Sequence, residues 1–372
     1  MRFFATTPFA MEKPVCREFE RLEIPYTDIS EGRVYFNGDV SVLAKACVNL
    51  RSADRIFLEL AFFRAQSFDE LFDNILKIEW ADILSVRGKF QVSAKCARSK
   101  LMSVPDVQRI AKLAIIKAMQ RRIKKVRFPE DGEAYPIHVH INRDRVTVAL
   151  DCCGESLHKR GYRVKTAPAP LRETFAAGLL NLIGYYGKKQ IFLDPFCGSG
   201  TLAIEAAMIA LNIAPGMHRN FICENFKNFD NAVFEIARRQ AKDAVQEASV
   251  QIFASDISQE MTELTRFHAV RAGVEQYITL KTCAAAECRL PAPCGTILTN
   301  PPYGQRLGDE KEMKEVNKQL EVLLERFSGW NRHILSGDKN FEQNLKKRAN
   351  KIRRFYNGNI ECNLYSYFAQ NK

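Results

Sequence analysis

The chain has 372 residues, of which 46% are hydrophobic and 26% are charged. This composition is typical of a globular protein and excludes a disordered one, and the length allows two or three domains with cores of their own. No run of 18 or more apolar residues occurs, so the sequence predicts no membrane span. The first twenty residues show neither the apolar run nor the cleavage site of a signal peptide.

The eleven cysteines form no CxxC pair, and no paired His motif accompanies Cys283, Cys288 and Cys294. We therefore expect free thiols in a reducing compartment, no bound metal, and a cytoplasmic protein.

The formal net charge is +12, and its placement is uneven. Residues 87–127 contain thirteen Lys and Arg against one acidic residue, Asp106, so this segment carries an excess equal to that of the whole chain. The run covers a predicted strand and a predicted helix, which is typical of a surface for a polyanion; a solvated helix face is the alternative. The residues predicted here to contact nucleic acid are Lys95, Arg98, Lys100, Arg121, Arg122, Lys124 and Lys125.

Short strands and helices alternate up to about residue 165. The pattern predicts a strand at 55–63, a helix at 67–78 capped by Ser67, a strand at 89–97, a helix at 103–125 and a hairpin over 135–153. His138 and His140 share one face of that hairpin, but we find no further metal ligands and interpret them as ordinary strand residues. The first 50-odd residues contain two further strand candidates and one helix, and we expect them to form a small α/β module of their own.

After a Pro-containing linker the pattern becomes βαβα. Strands are predicted at 190–194, 251–256, 278–282, 295–300 and 332–338, with helices between most of them, which indicates a parallel doubly wound sheet. Asn357-Gly358 predicts an antiparallel hairpin at the end of this sheet.

The sequence DPFCGSGT, residues 194–201, lies between the first strand and the first helix of this part. Gly198 and Gly200 let a ligand approach the backbone closely, and the helix N-terminus favours polar or anionic groups. No Lys follows the second glycine, which excludes a phosphate-binding P-loop, and Gly198 to Ala203 match the dinucleotide fingerprint only weakly. The second strand ends in Asp256, which is placed to accept hydrogen bonds from ribose hydroxyls or, alternatively, to begin a helix.

The sequence NPPY, residues 300–303, follows the fourth strand. Both motifs therefore lie at carboxyl ends of strands, where open α/β folds bind ligands. A dehydrogenase has no use for NPPY, whereas a methyltransferase acting on a conjugated amine does. The Asn300 side chain and the Pro301 carbonyl would accept the two N–H groups of the amine, and Tyr303 would stack on the base. Positioning would supply most of the catalysis.

DPFCGSGTLAIEAA and TNPPYGQRLG, with SLHKRGYR and APLRE upstream, resemble the bacterial THUMP-containing class I methyltransferases that use S-adenosylmethionine. The resemblance is to enzymes that methylate guanine N2 in large-subunit rRNA and to related tRNA enzymes. It implies an α/β protein with a ferredoxin-like module at 1–55, a THUMP domain at 56–155, a linker at 156–168 and a Rossmann-like methyltransferase domain at 169–372, whose mostly parallel sheet ends in an antiparallel hairpin.

The resemblance also implies roles for individual residues. Asn300, Pro301, Pro302 and Tyr303 would hold the base, and Arg160 and Arg163 would contact RNA. The family usually has an acidic residue after the third strand for the adenine amino group, where this chain reads CAAAEC, and Glu287 would serve instead. The cofactor site would comprise Asp194, Pro195, Phe196, Cys197, Gly198, Ser199, Gly200, Thr201, Asp256, Ile257 and Glu287.

The implied activity is the formation of N2-methylguanosine in structured rRNA or tRNA. An adenine-N6 DNA methyltransferase is an alternative, because NPPY serves that amine equally well. The basic region matches no DNA-reading motif and favours structured RNA. A non-catalytic RNA-binding protein with a relic cofactor fold is a second alternative, against which the intact NPPY argues.

Overall fold

The computed structural model describes residues 1–124, 127–165, 171–187, 190–247, 249–290, 292–302, 310–357 and 360–369. Its strands are β1 (Arg2–Thr6), β2 (Tyr26–Ser30), β3 (Arg33–Asn37), β4 (Arg55–Arg64), β5 (Lys89–Ala97), β6 (Ala134–Asn142), β7 (Arg145–Asp151), β8 (Phe192–Asp194), β9 (Ile252–Asp256), β10 (Ile278–Thr282), β11 (Thr296–Thr299), β12 (Asn331–Ser336), β13 (Lys351–Asn357) and β14 (Ile360–Tyr367). Its α-helices are α1 (Glu12–Arg21), α2 (Val40–Asn49), α3 (Phe68–Leu76), α4 (Trp80–Ile83), α5 (Val104–Ile123), α6 (Glu173–Leu182), α7 (Thr201–Ala210), α8 (Ala232–Asp243), α9 (Gln259–Arg271), α10 (Glu310–Arg326) and α11 (Phe341–Asn344).

The first sheet has seven strands in the order β2-β3-β1-β4-β7-β6-β5. β1 pairs antiparallel with β4, with Phe4 opposite Phe57. The N-terminal segment, which has three strands and two helices rather than the predicted two and one, therefore continues the sheet of the following segment and shares its hydrophobic core. The segment therefore does not form a module with a core of its own, in contrast to the expectation from the sequence.

Local sequence signals explain several element boundaries. The Ser67 hydroxyl accepts a hydrogen bond from the Glu70 N–H at 3.2 Å, which confirms the predicted N-cap of α3. Ser103 directly precedes α5, but its hydroxyl donates to the Asp106 carboxylate at 2.6 Å instead of capping the backbone. Along β6, buried and half-buried residues alternate strictly, because successive strand residues point to opposite faces.

The second sheet has the order β10-β9-β8-β11-β12-β14-β13. The first five strands of this order pair in parallel, and β14 runs antiparallel to both β12 and β13, which confirms the predicted architecture. The chain order reverses between β8 and β11, so the carboxyl ends of these two strands flank the crevice where such sheets bind ligands.

The segment between α7 and β9 connects the two halves of the molecule. Phe221, Phe226 and Phe234 from this segment are buried in the core of the first sheet, and α8 packs against α2. Across the described ranges, no helix is long and apolar enough to cross a membrane.

Candidate active site

The two motifs singled out in the sequence lie next to each other at the switch point. Asp194 ends β8 and Asn300 follows β11, and these strands are parallel neighbours with Leu193 opposite Ile297. The buried Thr299 hydroxyl donates a hydrogen bond to Asp194 Oδ1 at 2.7 Å. The loop after β8 and the turn after β11 are thus joined by a direct side-chain contact.

The two glycines of DPFCGSGT have different reasons for being glycine. Both have positive φ, +52° at Gly198 and +84° at Gly200, a region that glycine adopts without steric cost. A Cβ on Gly200 would lie 2.6 Å from Thr265 Cγ2, whereas a Cβ on Gly198 would meet nothing within 4 Å. Gly200 is therefore needed for packing against α9, and Gly198 borders open space that a ligand can fill.

Asp256 organises this loop from the end of β9. Its Oδ2 accepts the Gly198 N–H and its Oδ1 accepts the Ser258 N–H, both at 3.0 Å. A carboxylate has about four lone-pair positions, so further acceptor capacity is left for ribose hydroxyls. The next side chain, Ile257, is 70% exposed and can lie against an adenine ring. The arrangement fits a nucleoside.

Burial changes the acid–base behaviour of Asp194. The side chain is fully buried, and burial raises its pKa from the ordinary 3.8 to about 7. The Thr299 hydroxyl and the Phe196 N–H favour the ionised carboxylate, and the nearby charge of Asp256 disfavours it.

Three side chains that the sequence did not single out support this loop: those of Thr265, His268 and Thr299. The Thr265 hydroxyl donates to the Gly198 carbonyl at 2.8 Å, and His268 Nδ1 lies 3.0 Å from the Ser199 carbonyl. Both come from α9, more than 60 residues away in sequence, so no local pattern indicates them. Thr299 could have been found, because it directly precedes Asn300.

Asn300 carries an unusual feature. Its Oδ1 is buried and has no hydrogen-bond partner among the residues that the structure describes. A buried carbonyl oxygen without a donor costs about 1–3 kcal/mol, so the position is suited to receive an N–H from a ligand. Pro301 is buried and Pro302 half-buried, and both line a small pocket with residues of α10, Ser336 and Asp338. Tyr303 lies outside the described residues.

Glu287 lies in a short turn after β10, beside the strand that carries Asp256. Its side chain is exposed, and its Oε2 accepts the Ala284 N–H at 3.4 Å. Its assignment to the adenine amino group stays a prediction.

The prediction that Arg160 and Arg163 contact RNA is wrong for this structure. The Arg160 side chain is only 2% exposed, and its Nε lies 3.4 Å from the buried carboxylate of Glu205. Arg163 donates to the Thr201 hydroxyl at 2.6 Å and lies 3.6 Å from the Glu173 carboxylate. Both guanidinium groups are already used to fasten residues 156–165, predicted as part of a linker, to the methyltransferase half.

The remaining predicted RNA contacts are exposed, but they do not form one patch. The described members are Lys95, Arg98, Lys100, Arg121, Arg122 and Lys124, whereas Lys125 lies outside the described residues. α5 packs against the face of β5 that carries Phe90, so Lys95 points to the opposite side of the sheet from α5. The basic run is thus divided between two faces.

No cluster of three or more possible metal ligands occurs within the described ranges.

Comparison with known families divides the chain into three parts. Residues 2–57 match the RlmL ferredoxin-like domain, residues 65–151 the THUMP domain, and residues 160–366 the family described as RMKL-like, methyltransferase domain.

Two curated relatives are similar over nearly the whole chain. The putative RNA methyltransferase YpsC of Bacillus subtilis is 36% identical over 369 residues, which cover 98% of this chain and 95% of the relative. The ribosomal RNA large subunit methyltransferase K/L of Shewanella sp. strain MR-4 is 33% identical over all of this chain. The match covers 53% of that relative, so the chain spans about half its length.

Two solved structures share the whole architecture. SMU.472, a putative methyltransferase complexed with SAH, has a TM-score of 0.93 and 34% identity, and the match covers 100% of this chain and 98% of that one. A predicted N6-adenine-specific DNA methylase from Listeria monocytogenes has a TM-score of 0.92 and 35% identity, with 99% and 96% of the two chains covered. The chain therefore belongs to the RMKL-like methyltransferase family, and it is an S-adenosylmethionine-dependent methyltransferase with ferredoxin-like and THUMP domains ahead of its catalytic domain.

Proposed function

We propose that this protein methylates the N2 amine of guanine in structured RNA, either rRNA or tRNA. The observation that carries the proposal is the buried Asn300 Oδ1, which finds no hydrogen-bond partner within the described ranges. Asn300 lies one residue beyond Thr299, whose side chain contacts the cofactor loop. This oxygen is an acceptor in need of a donor, and an exocyclic amino group supplies two N–H donors.

The residues of the first loop fit the methyl donor. Asp256 would accept hydrogen bonds from the ribose hydroxyls, and Ile257 would cover the adenine. Glu287 would receive the adenine amino group. The open space at Gly198 would admit the rest of the S-adenosylmethionine molecule. S-adenosylmethionine supplies an electrophilic methyl group on a positively charged sulfur. Residues 194–201 and Asp256 would fix the position of the donor.

The turn after β11 would act on the nucleophile. The lone pair of an exocyclic amine is delocalised into the base, so the amine is a poor nucleophile and its orientation matters. Asn300 Oδ1 and the Pro301 carbonyl would accept its two N–H groups and aim the nitrogen, and Tyr303 would stack on the base. The amine loses a proton after methyl transfer, so no strong general base is needed beforehand. Alignment would supply most of the rate enhancement.

The choice of RNA rests on two further observations. The exposed basic residues of β5 and α5 belong to a segment that matches the THUMP domain, and both curated relatives bear names of RNA methyltransferases. The Listeria structure is described as a predicted N6-adenine-specific DNA methylase, which corresponds to the alternative activity.

Nucleoside analysis distinguishes these activities. The protein is incubated with donor carrying a deuterated methyl group and with either RNA from a strain lacking the protein or unmethylated DNA, and the digested nucleosides are measured by mass spectrometry. We expect labelled N2-methylguanosine from RNA only. Labelled N6-methyladenine from DNA would establish the alternative activity, and absence of label from both would contradict catalysis of either kind.

A further inference from the structure

The first sheet has two different faces. One face is covered by helices and forms the main core of this half. The buried apolar side chains of the other face, Phe4, Tyr35, Phe57 and Ala149, form a separate cluster to which no helix of the described residues contributes. We call the second side the open face; it also bears Phe62 of β4.

The acidic groups of the open face are already paired. Asp28 and Glu59 both contact Arg2, and Asp151 contacts Arg55. In contrast, none of the basic side chains Lys95, Arg64 and Arg145 has an ion-pair partner within the part of the chain that the structure describes. The Asp144 carboxylate, in the turn between β6 and β7, interacts with the charge of Arg64 and offsets part of it. The open face still has an excess of positive charge, which is complementary to phosphate.

Two of these cations oppose each other directly. Arg64 of β4 and Arg145 of β7 occupy paired register positions. Like charges at such positions destabilise a sheet. The charge of Asp144 relieves part of this repulsion at Arg64, and an anion bound between the two arginines would relieve more of it. The pKa of the neighbouring His140 agrees with a positive potential here, since burial and then the charges of Arg33 and Lys95 lower it to about 4.

An exposed aromatic ring lies in the next row. Phe62 is 55% exposed and pairs with Thr147, which pairs with His140, which in turn pairs with Lys95. Phe62 is two residues from Arg64 along β4, a separation of about 7 Å. This is close to the spacing of successive nucleotides in a stretched strand. An exposed flat ring among cations is the arrangement by which proteins hold single-stranded nucleic acid.

We propose that the open face binds an unpaired segment of the RNA substrate, with one base stacked on Phe62 and the adjoining phosphates against Arg64, Arg145 and Lys95. The proposal rests on the RNA substrate proposed above. It gives the protein a second RNA surface, in addition to the basic end of α5. A duplex does not expose its base faces, so the open face selects unpaired RNA.

Binding of two RNA probes tests the role of Phe62. Fluorescence anisotropy is measured with a labelled 20-nucleotide single strand of mixed sequence and with the blunt duplex of the same strand. Phe62→Ala should weaken single-strand binding about five- to hundredfold and leave duplex binding nearly unchanged, because stacking contributes about 1–3 kcal/mol per base. Phe368→Ala removes a similarly exposed ring at the end of β14 and should change neither affinity. Equal loss for both probes, or no loss for either, would overturn the proposal.

The two arginines are tested by the salt dependence of the same binding. Arg64→Gln combined with Arg145→Gln should reduce the slope of log affinity on log salt by about 1.4, since each phosphate that is no longer neutralised removes about 0.7. The pair Arg239→Gln and Lys242→Gln on the exposed side of α8 makes the same change in net charge and should leave the slope unchanged. An unchanged slope in the Arg64 and Arg145 variant would overturn their assignment.

Methyl transfer to RNA and donor binding are measured on the same proteins. If all variants bind the single strand like the wild-type protein while guanine in RNA is still methylated, the open face is not an RNA surface and the proposed function stands. If the wild-type protein neither binds the probes nor methylates RNA, both proposals fail.

Discussion

The hydroxyl of Thr299 donates a 2.7 Å hydrogen bond to Asp194 Oδ1, both groups being buried between β8 and β11. The residue after Thr299 is Asn300, and the residues after Asp194 form the glycine loop. A single contact thus joins the part of the site that would hold the donor to the part that would hold the base.

The pKa of Asp194 predicts a pH dependence of stability. Because this pKa is about 7 in the folded protein and 3.8 ordinarily, the folded state binds a proton that the unfolded state lacks between these values. The free energy of unfolding should therefore fall as pH rises from 4 to 8, by an amount on the order of 4 kcal/mol. Asp194→Asn keeps an acceptor for the Thr299 hydroxyl but has no titrating carboxyl group. Its free energy of unfolding should therefore lack this fall between pH 4 and pH 8. Urea unfolding of both proteins at pH 5 and pH 8 checks it; an identical pH dependence would contradict the raised pKa.

The two glycines of the loop should respond differently to substitution. Gly200→Ala introduces a contact of 2.6 Å with Thr265 at a positive φ, and should reduce the free energy of unfolding by about 2–4 kcal/mol. Gly198→Asp places a side chain in open space, so it should cost less stability and instead abolish S-adenosylmethionine binding, as Asp194→Ala also should. Calorimetric titration and thermal unfolding separate the two effects. Normal donor affinity in Gly198→Asp and Asp194→Ala would refute the loop assignment.

Breaking the buried pair of Arg160 and Glu205 should affect stability and not RNA contact. Arg160→Gln leaves a buried carboxylate without its cation and should reduce the free energy of unfolding by about 3–5 kcal/mol. RNA affinity per folded molecule should keep its salt dependence. A fully stable Arg160→Gln protein with a reduced salt slope would instead establish Arg160 as an RNA contact.

Neutralising the basic end of α5 should weaken RNA contact and leave stability nearly unchanged. Replacing Arg121, Arg122, Lys124 and Lys125 with Gln should weaken RNA binding and lower its salt slope by about 0.7–0.9 for each phosphate that is no longer bound. Stability and donor affinity should change little, because the described members of this set are exposed. If the slope does not move, these residues form only a solvated helix end.

The sequence allowed the second sheet and the positions of both motifs to be predicted, because these depend on local patterns. Buried strands such as β8 and β11 read as short apolar runs, and residues at their carboxyl ends meet at one edge in any parallel sheet. The cap of α3 was likewise visible, since Ser67 acts on its own helix.

What could not be predicted depends on contacts between distant segments. Arg160 and Arg163 look like any exposed basic residues in sequence, and only the fold brings Glu205 and Glu173 beside them. The division of the basic run between two faces also follows from the packing of α5 on β5, since period-2 alternation does not say which face the helix covers.

In the proposed function Asn300 aims the amine of the base, and a single-turnover assay of Asn300→Ala with RNA tests this role. The rate of methyl transfer should fall about five- to hundredfold, corresponding to the removal of a hydrogen bond of about 1–3 kcal/mol, while donor affinity and melting temperature stay near wild type. Tyr303→Phe serves as the control, because it keeps the aromatic face and should keep most of the activity. Tyr303→Ala should also raise KM, because stacking acts in the bound state.

The assay has two clear results. A folded Asn300→Ala protein that binds S-adenosylmethionine normally but transfers methyl groups slowly is the result we predict. A folded Asn300→Ala protein that transfers them at the wild-type rate would contradict the role of Asn300 in aiming the amine.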